Sequence, residues 1–307
     1  MIRPKIDFGP SLGELTLDDW LEEVAELVRE DGSLTKLSPR HYAVLSEHGS
    51  TLMVSFETLD SILALSPLAQ PLGWDMARRL GWSTLSLISR GETWFREESV
   101  FEYIDALSDD GFFDEFDTVL FYGAGSGAHA AAAFSVAAPG ARVLCIQPQA
   151  TLDPLRAGWD TRFAHMRRTD FHSRYGYAPD MIDAAEAACV IFDPLEREDA
   201  MHASLFHASH VMQLPMHGMG AALASDLWQM GVLHDTIAQT AAGTLTRSGF
   251  ARALRARRGH LPYLHRLLRR LERDDRDALI QILCRNVTAR LEAPRFRQRL
   301  KALSAAQ

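Results

Sequence analysis

TVLFYGAGSGAHAAAA, Thr118 to Ala133, is the stretch on which the fold turns. A short apolar run from Thr118 to Tyr122 meets glycines at alternate positions, Gly123, Gly125 and Gly127, and an alanine-rich helical segment follows at once. Buried strand, sharp turn and close helix is how an open α/β sheet builds a site at the carboxyl end of a strand. Small residues are needed there, because the turn is tight and the helix lies against its own strand.

Outward from this turn, strands and helices alternate. Thr16 stands where it caps a helix whose apolar residues Leu17, Trp20, Leu21, Val24, Leu27 and Val28 keep the 3.6-residue period. His41–Glu47 and Thr51–Phe56 read as a hairpin around His48-Gly49-Ser50. Helical segments at Asp60–Leu65 and Trp74–Leu80 lead to a strand at Ser83–Ile88. Ser99 and Glu102 have capping-box spacing before a helix carrying Val100, Phe101, Ile104 and Leu107. Beyond the glycine turn come a strand at Arg142–Ile146, a helix at Met181–Ala188 and a strand at Cys189–Phe192. A helix at Ala200–Phe206 and a strand at His210–Leu214 follow, and from Gly218 onward the pattern is helical throughout. Such alternation predicts an α/β fold with a mostly parallel, doubly covered sheet. It divides into a helix-hairpin-helix part at 1–82, a core at 83–217 and a basic helical extension at 218–307.

Composition narrows the function classes. A chain of 307 residues with 47% hydrophobic and 23% charged content can bury a large core. The opening MIRPKIDFGPSLGEL has no apolar signal region, and the longest apolar stretch, Ala130–Ala138, is too short to span a bilayer. Cys145, Cys189 and Cys284 are far apart, which suits reduced thiols in a cytoplasmic protein. From Arg247 onward, 15 arginines and Lys301 face five acids, about +11 net; the formal charge of −8 leaves about −19 for the rest. The arginines are interleaved with Leu264, Leu267, Leu268, Leu271, Leu279, Leu283 and Val287 at helical spacing. That pattern predicts a basic helical layer docked on an acidic body or a second subunit; acidity of the whole chain argues against a nucleic-acid partner.

Three chemistries fit parts of the glycine turn. Gly123, Gly125 and Ala128 satisfy G-x-G-x-x-A, and GAGSG followed by PGARVLCIQP resembles the first motif of S-adenosylmethionine-dependent methyltransferases. That site wants a carboxylate after the next strand, where this chain has Gln147. A second resemblance is to bacterial α/β-hydrolase-like proteins. Their elbow, similar to GSSMGGYAAL, precedes PQ..LDP and WD.R segments, and this chain has GAGSGAHAAA, Gln147–Pro154 (QPQATLDP) and Trp159–Arg162 (WDTR). The resemblance covers about Ser83–Leu233. The third is the label phosphoadenosine phosphosulfate reductase, carried by sequences of this look. Neither the Ser-Gly-Gly-x-Asp-Ser loop nor the Glu-Cys-Gly-x-His motif of that family is present, and Cys284 sits in Leu-Cys-Arg on an amphipathic segment.

The α/β-hydrolase resemblance implies a serine-hydrolase-type enzyme acting on an ester or acyl group of a small molecule, lipid or glycan. In that reading Ser126 attacks, His217 takes its proton and Asp199, or Asp193 as second choice, orients the histidine. The turn amides and the loop from Arg90 to Trp94 hold the oxyanion, and Gly123, Gly125, Gly127, His129, Gln147 and Gln149 line the site. Two registers of the elbow stay open. Aligned on Gly123, the nucleophile position falls on Gly125; shifted by one, it falls on Ser126, with Ala124 and Ala128 in the small-residue places. The first register implies a catalytically inactive relative that keeps the cleft for binding, and a methyltransferase is the further alternative. His202, His207 and His210 have no metal-ligand spacing. The expectation is therefore a protein without metal or cofactor, with no membrane span, and with homo-oligomerisation open.

Overall fold

The run before the glycine turn becomes β5 (Thr118–Ala124) of an eight-stranded sheet in the computed structural model, which describes residues 6–305. The other strands are β1 (Gly32–Lys36), β2 (His41–Ser46), β3 (Thr51–Thr58), β4 (Ser83–Ser89), β6 (Arg142–Ile146), β7 (Ala187–Phe192) and β8 (Val211–Pro215). They lie in the order β1-β2-β4-β3-β5-β6-β7-β8. β2 runs antiparallel to β1 and β4, and every pair from β4 onward is parallel. This is the mostly parallel, doubly covered sheet that the alternation predicts.

Helices cover both faces. The first half of the chain supplies α1 (Leu17–Leu27), α2 (Leu59–Leu65), α3 (Leu72–Leu80), α4 (Glu98–Asp109) and α5 (Ser126–Phe134). The second half supplies the one-turn α6 (Pro154–Ala157) and α7 (Ala178–Met181), then α8 (Arg197–Leu205), α9 (Leu223–Gln229) and α10 (Leu233–Ala241). The chain closes with α11 (Arg247–Ala253), α12 (Leu261–Arg273), α13 (Asp277–Thr288) and α14 (Pro294–Ala305). Side chains alternate across β5: Phe121 packs with α4 and α5 on one face, while Leu120 and Tyr122 pack with α3, α9, α10 and α11 on the other. All nine residues of α5 are buried, so its alanines are what lets a helix sit between two layers of core. Among the described residues no helix is long and apolar enough to cross a membrane.

Several local expectations are corrected. β2 and β3 do not form a hairpin: β4 lies between them, and the true hairpin partner of β2 is β1, which the hydrophobic pattern does not reveal. Ser99 caps nothing, because α4 already begins at Glu98 after Glu97, which makes no side-chain cap. The helix expected at Met181–Ala188 is α7 followed by a single 3-10 turn, and β7 starts at Ala187. The methyltransferase alternative needs an antiparallel closing pair of strands; here the sheet ends on the parallel β8 and only helices follow.

The extension is helical and has an apolar centre of its own. Leu264, Leu268, Ile280, Cys284, Val287 and Phe296 are buried together, with Leu271 and Leu283 against them, while Leu279 is exposed. Phe250 and Leu254 belong instead to the core beneath the sheet. A buried charge cluster ties α12 to the body: Asp226 of α9 accepts from His260 Nε2 at 2.8 Å and from Arg266.

Candidate functional site

The turn after β5 is set by its glycines. Gly125, at the apex, has φ +58° and ψ −123°, a conformation costly for any residue with a side chain. Its amide donates to Ile146 O at 2.9 Å, which fixes the turn to β6. A Cβ on Gly123 would stand 2.0 Å from Gly127 O, and one on Gly127 would stand 2.1 Å from Phe56 O. A Cβ on Gly125 would meet nothing within 4 Å. The outer two glycines therefore let α5 close on β5 and β3, and the middle one opens onto free space. Ser126 comes one residue past the apex as the first residue of α5; it is 4% exposed, and its hydroxyl makes no hydrogen bond with the described residues.

Ser126 reaches a cavity of about 80 Å³ at the carboxyl edge of β3 and β5. Phe56, Glu57, Tyr122, Ala124 and Trp228 line it, with Ile62 and Leu65 of α2 and Leu72 at the start of α3; Glu92 lies at its exposed margin. Two carboxylates and no basic side chain face this space. Burial pushes the Glu57 carboxyl up to about 7, and hydrogen bonds from Ser55 Oγ (2.8 Å) and the Leu72 amide offset this only in part. Burial, with Glu57 nearby, likewise pushes the Tyr122 phenol up. Tyr122 is 2% exposed, and its hydroxyl has no hydrogen-bond partner among the described residues. None of Glu57, Tyr122, Glu92 and Trp228 was singled out by spacing, since they come from four separate segments. The one available signal was an acid at the end of an otherwise apolar strand run, TLMVSFE.

The residues named for acid–base work are placed elsewhere. His217 is exposed, its imidazole makes no hydrogen bond with the described residues, and its carbonyl accepts from Arg257 at 3.2 Å. Asp199 is buried and accepts from Gln147 Nε2 and from Arg162, each at 2.7 Å. Asp193 is also buried, but its carboxylate accepts the backbone amides of Leu195, Gly218 and Gly220 at 2.9, 3.1 and 2.7 Å. Neither aspartate touches His217.

The remaining expected residues form a buried polar seam above α5. Trp94 is fully buried and donates from Nε1 to Gln149 Oε1 at 3.0 Å, and Gln149 Nε2 donates to Gln147 O at 3.0 Å. His129 Nδ1 donates to Gln149 O at 2.9 Å while Nε2 is buried without a partner, and burial depresses this imidazole to about 3, so it stays neutral. Gln147, at φ +55°, also accepts the Leu223 amide, so it occupies the strand end where a ribose-binding carboxylate would stand. Arg162 of the WDTR segment joins Asp160 and Asp199, and His202 donates to Asp160 at 3.1 Å. Arg90 is exposed. Because β3, not β4, adjoins β5, the segment beside the turn is Glu57–Thr58 with α2, and the Arg90–Trp94 loop, which follows β4, reaches the cavity margin through Glu92.

No protein-family model and no curated protein matches this chain. Among solved structures it is similar to the esterase of Pyrobaculum calidifontis, at 14% identity over 77% of this chain and 94% of that one, with a TM-score of 0.46. It is similar also to the thermostable carboxylesterase EstE1 from a metagenomic library, at 14% identity over 77% and 98% of the two chains, TM-score 0.43. A third similar structure is the capsule O-acetyltransferase of Neisseria meningitidis serogroup A, at 10% identity over 66% and 94%, TM-score 0.42. The likeness lies in chain path alone.

Proposed function

We propose that this chain is a binding protein on an α/β-hydrolase-like fold, which holds a small molecule at the carboxyl edge of its sheet and does not transfer an acyl group to itself. The observation that carries this reading is the apex of the turn. In serine hydrolases of this fold the nucleophile occupies the strained strand-to-helix turn between two small residues. Here that strained position is Gly125, and Gly123 and Gly127 are the two places where no Cβ fits. Two contacts support it further. Asp193 is engaged by three backbone amides, and the exposed His217 imidazole has no hydrogen-bond partner among the described residues, so these two do not form the carboxylate–imidazole pair that would activate a hydroxyl.

A second reading, a serine hydrolase acting on an ester or acyl group with Ser126 as nucleophile, is favoured by one feature: the unpartnered Ser126 hydroxyl lines the cavity. One experiment separates the two. On the binding reading, the purified protein takes up no fluorophosphonate probe and hydrolyses short p-nitrophenyl esters no faster than its Ser126→Ala variant. A label on Ser126 that the variant loses would overturn it.

A further inference from the structure

We propose that the cavity beside the glycine turn takes a small organic amine in its ammonium form, held between Glu57, Tyr122 and Ser126. This rests on the binding reading above and adds to it the ligand's charge and donor pattern. The first observation is the sign of the lining. Glu57 and Glu92 are its only ionisable groups besides the Tyr122 phenol, and no Lys, Arg or His reaches it. An anionic ligand would meet two carboxylates with no countercharge, whereas a cation meets complementary groups.

The second observation is independent of charge. Tyr122 and Ser126 are 2% and 4% exposed, both line the cavity, and neither hydroxyl makes a hydrogen bond with the described residues. Each oxygen opens onto the cavity and is not sealed inside protein, so each offers a free acceptor there. A primary ammonium carries three N–H donors, and the Glu57 carboxylate with these two hydroxyl oxygens offers three acceptors. A neutral alcohol would satisfy a hydroxyl but would leave the carboxylate desolvated without a counter-ion. The rings of Phe56, Tyr122 and Trp228 also line it, and aromatic faces attract cations, while its other polar side chains, Thr58, Ser61, Ser66 and Gln70, are neutral. The volume of about 80 Å³ accommodates roughly half a dozen heavy atoms.

Binding couples to a proton. With its carboxyl held up to about 7, Glu57 carries a proton in part of the molecules at neutral pH; an arriving ammonium favours the carboxylate, and that proton passes to solvent. The groups facing Glu57 are Ser55 Oγ within β3, the Leu72 amide and Asp75 from α3, Tyr122 from β5, and Glu92 at the margin. Asp75 is itself paired with Arg78 and His234.

Three probes of one shape test the proposal: n-butylammonium, n-butanol and n-butyrate, titrated into the full chain by calorimetry at pH 7.5 and followed in parallel by thermal shift. The expected result is saturable butylammonium binding at least tenfold tighter than butanol and no butyrate binding. Glu57→Gln should erase that preference by weakening the amine at least tenfold. Tyr122→Phe, which keeps the ring and removes an acceptor, should weaken the amine several-fold. Butanol or butyrate binding as tightly as the amine, no binding of any n-alkylammonium from ethyl to hexyl, or an amine preference that survives Glu57→Gln in a folded variant would each overturn the proposal. Fluorophosphonate labelling of Ser126 in the same preparation would instead overturn the binding reading beneath it.

Discussion

Alanine placed at each glycine of the turn should produce sharply unequal losses of stability. At Gly127 the new methyl would lie 2.1 Å from the Phe56 carbonyl oxygen, and ordinary contact begins near 3.4 Å, so α5 must retreat from β3 by roughly 1 Å. That retreat is shared by a helix whose nine residues are all buried, and a gap of that size forfeits a quarter to a half of each dispersion contact it opens. The expected loss is about 4 kcal/mol or more, at the upper end of single substitutions. Gly123→Ala, 2.0 Å from the Gly127 carbonyl, should behave alike. At Gly125 there is no clash, and only the cost of positive φ remains, about 1–2 kcal/mol. In thermal melts this translates to a fall of roughly 3–8 °C for Gly125→Ala and more than about 10 °C for the other two. Urea unfolding of the four proteins measures the same differences. Equal losses at the three positions, or a Gly127→Ala protein within about 1 kcal/mol of wild type, would refute this account of the turn and with it the placing of Gly125 at the apex.

Other outcomes follow from buried charges. Glu57 binds its proton more tightly folded (about 7) than at its ordinary 4.5, so its contribution is complete below pH 4.5 and disappears as pH rises to about 7. Stability should drop by at most about 3 kcal/mol across that window relative to Glu57→Gln, and parallel pH profiles of the two proteins would contradict it. Arg162→Ala leaves the buried Asp160 and Asp199 without their shared partner and should cost about 2–4 kcal/mol in urea unfolding. Asp226→Ala strands His260 and Arg266; it should cost about 3 kcal/mol and expose the junction of α11 and α12 to protease before the rest of the chain.

How much of this was legible in the sequence depended on how local each cause is. β5 through β8 are short apolar runs bounded by turns, and Thr16 does cap α1 through its side chain, so these read correctly one segment at a time. The β2–β3 error has a different origin. His48-Gly49-Ser50 looks like a hairpin turn, yet whether β4 inserts between two strands is decided by pairing over long sequence distances, with Leu52 opposite Ser83 and His41 opposite Ser89. Ser99 failed because two acids precede it and the helix starts two residues early. The cavity was illegible for the strongest reason. Glu57, Tyr122 and Trp228 are apolar-face or strand-end residues of three unrelated segments, and only the spatial order β3-β5 with α9 behind it makes them neighbours.

Asp193 ties the loop after β7 to the loop after β8. A carboxylate clamped by the amides of Gly218 and Gly220 serves as a fastener for the loop after β8. The loop therefore moves only together with the end of β7, because freeing it would leave a buried carboxylate without two of its three amide donors.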